Sequence, residues 1–127
     1  YSNSYGLECN HSRVSTNILN ILKRGRNDKG SIMVYAVGNE SLTNSIIYPA
    51  NLTFSYPDEA YNKGIIRVGA SGSDDLKSNY SNYSSSNGLT VSVDVVAPGG
   101  KFSEGSNGTL DYIATTDLSG NLGEIPR

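Results

Sequence analysis

Residues 32 to 37, IMVYAV, are apolar without a break and partly β-branched, and the run stops on Gly38 and Asn39. An unbroken apolar stretch of this length, bounded by turn formers, reads as a strand covered on both faces, the setting of a parallel sheet. Parallel strands cannot be joined by tight hairpins, so a crossover helix must lie nearby in the sequence. One does. Val14, Ile18, Ile21 and Leu22 recur at spacings of four, three and one, which puts them on one face of a helix over about residues 13 to 25. Asn10 or Ser12 is placed to cap its start, and Lys23, Arg24 and Arg26 fall at the negative end of its dipole, before RNDKG stops it. Upstream, YSNSYG suits a short strand running out into a loop. Strand, helix and strand make a right-handed crossover unit, and the fold class expected is α/β with a mainly parallel central sheet.

Further along, residues 40 to 63 carry Pro49, Pro57 and several Asn and Ser, and read as irregular surface chain. A buried strand is expected at Ile65 to Gly69. Residues 71 to 90 are rich in Ser, Asn and Tyr, too polar to build core, and their tyrosines favour an ordered loop over a linker. TVSVDVVAPGG reads as a third buried strand ended by Pro98 and two glycines, and LDYIATTDL as a fourth. No internal repeat is present.

The 127 residues fall within the size of one domain. Twelve acidic against ten basic residues give a net charge of −2, which removes any general attraction to nucleic acid or anionic lipid. Lys23, Arg24, Arg26 and Lys29 form a local basic segment, the solvated end of the helix. No apolar run approaches the roughly 18 residues that cross a bilayer, so no membrane span is expected, and no signal peptide is visible. Cys9 is the sole cysteine, which precludes an internal disulfide, and the Cys9-x-His11 pair lacks the four ligands of a structural zinc site. Sequons of the form N-x-S/T at Asn10, Asn39, Asn51, Asn79, Asn82 and Asn107 point to an extracellular, cell-surface or periplasmic chain.

On its own, Gly38-Asn39 is as well suited to a plain turn after a strand as to chemistry. Its neighbours change the balance. YSNSYG, GRNDKGSIMVYAVGNE, YPANLTFSYPDEAYNKGIIRVGAS with SNYS, and VDVVAPGG with IATTD occur in this order over almost the whole chain. Together they resemble the subtilisin-like serine proteases, the subtilases or peptidase S8 family, with a leaning toward the kexin and proprotein convertase branch. The resemblance implies a subtilisin-like three-layer fold and a serine endopeptidase that cuts an extended peptide or protein substrate by a Ser/His/Asp mechanism. It makes Asn39 the donor to the oxyanion that forms when the serine attacks, a role an amide fills because it donates a hydrogen bond without bearing charge. It also implies that Ser4, Tyr5 and Gly6 form one wall of the pocket for the side chain before the cut, and Ala36, Val37 and Gly38 the other, with the first set pairing main chain with substrate.

Three departures stand beside the match. Cys9, next to Glu8, occupies the place of the branch's acidic specificity residue, and Asp58 or Glu59 is the nearest substitute for a second one. Tyr80, Ser81 and Asn82 stand where the branch has a Tyr-Ser-Glu turn that contributes to a calcium site, so calcium enters as a cofactor only through the resemblance. His11 is the only histidine and lies after the point where the family's Asp and His belong, and no Gly-Thr-Ser follows IATTD. Residues 1 to 127 are therefore expected to be the central-to-C-terminal portion of a peptidase domain, inactive alone and partnered by the remainder of that domain. The competing expectation is a non-catalytic α/β domain binding a small ligand at the carboxyl ends of its strands, beside the glycines after Val37 and Pro98. No G-x-G-x-x-G or G-x-x-x-x-G-K-[ST] stretch supports it.

Overall fold

A computed structural model describes residues 1–84 and 91–100. Its elements run β1 (Ser2–Asn3), α1 (Ser12–Asp28), β2 (Met33–Ala36), a 3-10 helix (Glu59–Gly64), β3 (Ile65–Ser71) and β4 (Val95–Pro98). The four strands form one parallel sheet in the order β1-β2-β3-β4. The α/β class read from the sequence is the fold observed. The expected strand at residues 110 to 118 lies outside the described residues.

The unbroken apolar run becomes β2 at the centre of the sheet, with Met33 opposite Ile65 and Ala36 opposite Val68. Met33, Tyr35 and Val37 are buried on the face that α1 covers, together with Ile18 and Leu22 of the helix and Ile65 of β3. Each such side chain contributes about 1.5–3 kcal/mol by leaving water. Val34, Ala36, Ile66, Val68 and Ala70 alternate with them onto the opposite face and are half-buried. The expectation of equal cover on both faces therefore fails among the described residues. One face is packed, and the other is lined by small or β-branched side chains and remains partly open.

Other expectations need correction. The helix begins after His11, whose side chain makes no capping bond, and neither Asn10 nor Ser12 is the cap. The His11 ring instead lies 3.3 Å from Cys9 Sγ, and Ser15 bonds back to the His11 carbonyl through both its N–H and its hydroxyl. Helical geometry lapses at Gly25, Arg26 and Asn27, close to the expected stop. The segment from 40 to 63 is not all surface chain, because Ile46, Tyr48, Pro49 and Ala50 are buried and Ile46 and Ala50 join the core. The polar stretch after residue 71 also enters the interior, where Ser78, Ser81, Asn82 and Ser84 are buried. Conversely β4, read as a buried strand, is exposed along its length, with Val95 and Val96 at 50% and 60% exposure. Its place beside β3 at the end of the sheet leaves it no second described strand to pack against.

Candidate active site

The carboxyl ends of the four strands converge on a cavity of about 380 Å³. Ser2, Asn3 and Ser4 border it from β1, Ala36 to Asn39 from β2, Val68 to Ala70 from β3, and Ala97 to Gly99 from β4. Its floor is the half-open face of the sheet. Asn39 is exposed at its rim, and its carboxamide makes no hydrogen bond among the described residues. It is therefore a donor left available.

The backbone reaches this position through Gly38, whose φ of 111° lies where side chains are strongly disfavoured. A Cβ at Gly38 would also run into the Asn82 amide and the Glu40 carboxylate, so glycine is required by conformation and by space. Beyond it the turn has few bonds of its own and is held from outside. Val37 N–H donates to Val68 O at 3.1 Å, and Ile47 N–H to Val37 O at 3.1 Å. Ser41 N–H donates to Tyr80 O at 2.9 Å, and Asn82 N–H to Gly38 O at 3.0 Å. The Asn82 side chain accepts from the N–H of Glu40 at 3.1 Å and of Leu42 at 2.9 Å. Its amide donates to Glu40 Oε2 at 2.6 Å and to Val37 O at 3.3 Å.

The residues expected to form the site are only partly brought together. Ser4, Ala36, Val37, Gly38 and Asn39 share the first cavity. Gly6 lines a second cavity of about 360 Å³ with Leu7, Glu8, Glu40 and Ile47. Tyr5 lines neither and stands edge-on to Tyr35, with ring centroids 6.3 Å apart. Burial pushes the Tyr35 phenol up, and the neighbouring Tyr5 adds to the effect. Among the described residues its hydroxyl has no partner within hydrogen-bond distance, Tyr5 being the phenol that acts on it.

A family model described as the subtilase family, Peptidase_S8, matches residues 1–124. The chain belongs to the subtilase family. No curated protein matches it. Subtilases are serine peptidases, so the chemistry that this subtilase serves is serine-peptidase hydrolysis.

Two features of the subtilase follow from its own residues. The Tyr80-Ser81-Asn82 turn does not fit a calcium ion. The Asn82 oxygen is already shared by two N–H groups, and among the described residues no three His, Cys, Asp or Glu side chains cluster. Asn82 is also no glycan acceptor in the folded state, because it is 0% exposed with its amide fully engaged. The sequence reading missed Asn82 as a site element. A serine-rich, tyrosine-rich string gives no hint that one of its amides is buried, and only its counterpart loop reveals the use.

Proposed function

We propose that residues 1–127 are the central-to-C-terminal portion of a subtilisin-like serine endopeptidase domain, and that Asn39 donates a hydrogen bond to the oxyanion of the tetrahedral intermediate. One observation carries this reading. Asn39, exposed and with its carboxamide unbonded among the described residues, lines the cavity that the ends of all four strands border, as do Ser2, Asn3 and Ser4. A donor fixed in place before the charge appears stabilises the transition state without reorganisation, which is why such positions outweigh most single contributions to catalysis. Ser4 and the strand end around it offer main chain to an extended peptide, and the cavity beside Gly6 and Ile47 receives the side chain before the cut.

The partly open face beneath the first cavity is the seat proposed for the remainder of the domain, which brings the Asp, His and Ser. Without those groups an oxyanion donor gives only a small residual rate, so the 127-residue chain alone does not hydrolyse peptides. The sequons other than Asn39, whose amide is needed as the donor, and Asn82 support an extracellular or cell-surface setting, with Asn10 and Asn79 exposed. The kexin-like leaning rests on the motif strings alone.

The test is Asn39→Ala in the complete peptidase, with kcat and KM measured on a peptide substrate. The loss established at the corresponding asparagine of subtilisin, about 10²–10³ in turnover, sets the scale expected. KM should barely move, since the donor acts on charge that exists only in the transition state. An unchanged kcat in a folded variant would remove Asn39 from the mechanism.

A further inference from the structure

We infer that Asn82 is the positioning residue of the oxyanion donor, fixing the turn that carries Asn39 and holding the Glu40 carboxylate out of the reacting cavity. The inference rests on the reading of Asn39 given above and extends it to a residue that no substrate touches.

Asn82 is fully buried, 45 residues along the chain from Val37, and its one amide meets four groups of the segment from 37 to 42. Its own N–H adds a fifth bond, to Gly38 O. The groups it meets flank Asn39 on both sides: the carbonyls of Val37 and Gly38 before it, and the N–H groups of Glu40 and Leu42 after it. No bond of Asn82 reaches Asn39 itself. The backbone on either side is pinned, and the functional amide is left free to point outward.

Only an amide can do this. The turn offers N–H groups and C=O groups to the same buried point, and a side chain must accept from the first while donating to the second. A carboxylate would meet the N–H groups and repel the carbonyl and Glu40; an ammonium would do the reverse. The Glu40 contact has a separate consequence. A carboxylate adjacent in sequence to Asn39 and turned into the same cavity would set a like charge against the forming oxyanion. Asn82 Nδ2 binds Glu40 Oε2 at 2.6 Å, and Glu40 lines the second cavity with Gly6 while Asn39 lines the first.

The experiment is a double-mutant cycle of Asn82→Ala and Asn39→Ala in the complete peptidase, with kcat, KM and Tm measured for all four proteins. Asn82→Ala should lower kcat by about 10- to 100-fold, the scale of an ångström-sized misplacement, with KM changed by less than about threefold. In the Asn39→Ala background the same substitution should cost almost nothing further in kcat, because the donor being positioned is already gone. The isosteric Asn82→Asp should lose kcat as well, and adding Glu40→Gln, which returns a donor to the pair, should recover part of it; a merely structural role predicts no such rescue. Should Asn82→Ala fail to fold, the Asn82→Asp series carries the test alone.

Equal losses of kcat in both backgrounds, or an unchanged kcat in a folded Asn82 variant, overturn the assignment while leaving Asn39 in place. An unchanged kcat on Asn39→Ala alone instead overturns the oxyanion reading, and this inference falls with it.

Discussion

Arg67 and Asn82 are both buried polar side chains that tie an irregular segment to the sheet, and they do it with opposite chemistry. Arg67, 6% exposed on β3, donates through Nε to Ala50 O at 2.8 Å and through Nη2 to Leu52 O at 3.1 Å. Its own N–H and Nη1 both meet Asp94 Oδ2, at 2.8 and 3.3 Å. A guanidinium only donates, so it gathers carbonyls and a carboxylate and fastens the 50–52 segment beneath the core. Asn82 donates and accepts, carries no charge, and sits under the turn that bears Asn39. A charged clamp suits a place that must only hold; a neutral two-way clamp suits a place where the field nearby must stay unspoiled.

The strongest way to break this contrast is Arg67→Ala. It leaves the buried Ala50 carbonyl and the part-buried Leu52 carbonyl without these donors, while Asp94, 40% exposed, regains water, and a loss of about 2–4 kcal/mol is expected. Chemical denaturation of the complete protein should show that loss, while kcat per folded molecule stays near the parent value. A large fall in kcat at unchanged stability would erase the division of labour from Asn82.

A smaller effect, of opposite sign, is expected at Tyr35, the buried hydroxyl that belongs to neither network. Tyr35→Phe removes a buried hydroxyl without a hydrogen-bond partner among the described residues and should stabilise by about 1 kcal/mol. The pH dependence has a definite direction. Burial raises this phenol above its ordinary value, so the unfolded chain gives up the proton first. The contribution of Tyr35 is intact below about pH 10 and is lost as pH rises from there through the raised folded value. The stability gap between the parent and Tyr35→Phe should therefore be constant below that point and widen above it, and a constant gap throughout would show the hydroxyl to be solvated.

The smallest effect concerns charge left at the surface. Glu8 and Glu40 flank the second cavity, and the hypothesis is that they favour a cationic side chain before the cut. Because Glu8 is exposed, Glu8→Gln should reduce kcat/KM for Lys or Arg substrates by only about two- to fivefold relative to uncharged ones. An equal change for both substrate classes would dismiss the idea.

The scaffold was more legible in the sequence than the site. The IMVYAV run announced a central parallel strand because a short apolar, partly β-branched run bounded by turn formers suits one, although only Met33, Tyr35 and Val37 of it are buried, and the Val14 to Leu22 spacing marked the helix face that packs on it. The strings around Asn39 pointed to the family, and the role proposed for Asn39 rests on them. What stayed hidden depends on long-range pairing. Ser78, Ser81 and Asn82 look like solvent-exposed loop until the turn at 37–42 supplies their partners, and Arg67 looks like a surface charge within IIRVGA until Ala50 and Leu52 are brought beneath it. Tyr5 and Gly6, adjacent in sequence to Ser4, turn away from it because Tyr5 packs against Tyr35 and Gly6 against Ile47. Local pattern records propensity and periodicity; it does not record which buried amide will face which distant carbonyl.

Asn39 and Glu40 are neighbours in sequence that line different cavities. On the proposed reading, the bond-breaking step and the choice of what is admitted to it are separable by inheritance. Substitutions that reshape the Gly6 and Ile47 side could then accumulate and shift diet, provided the turn from 37 to 42 stays pinned by Asn82.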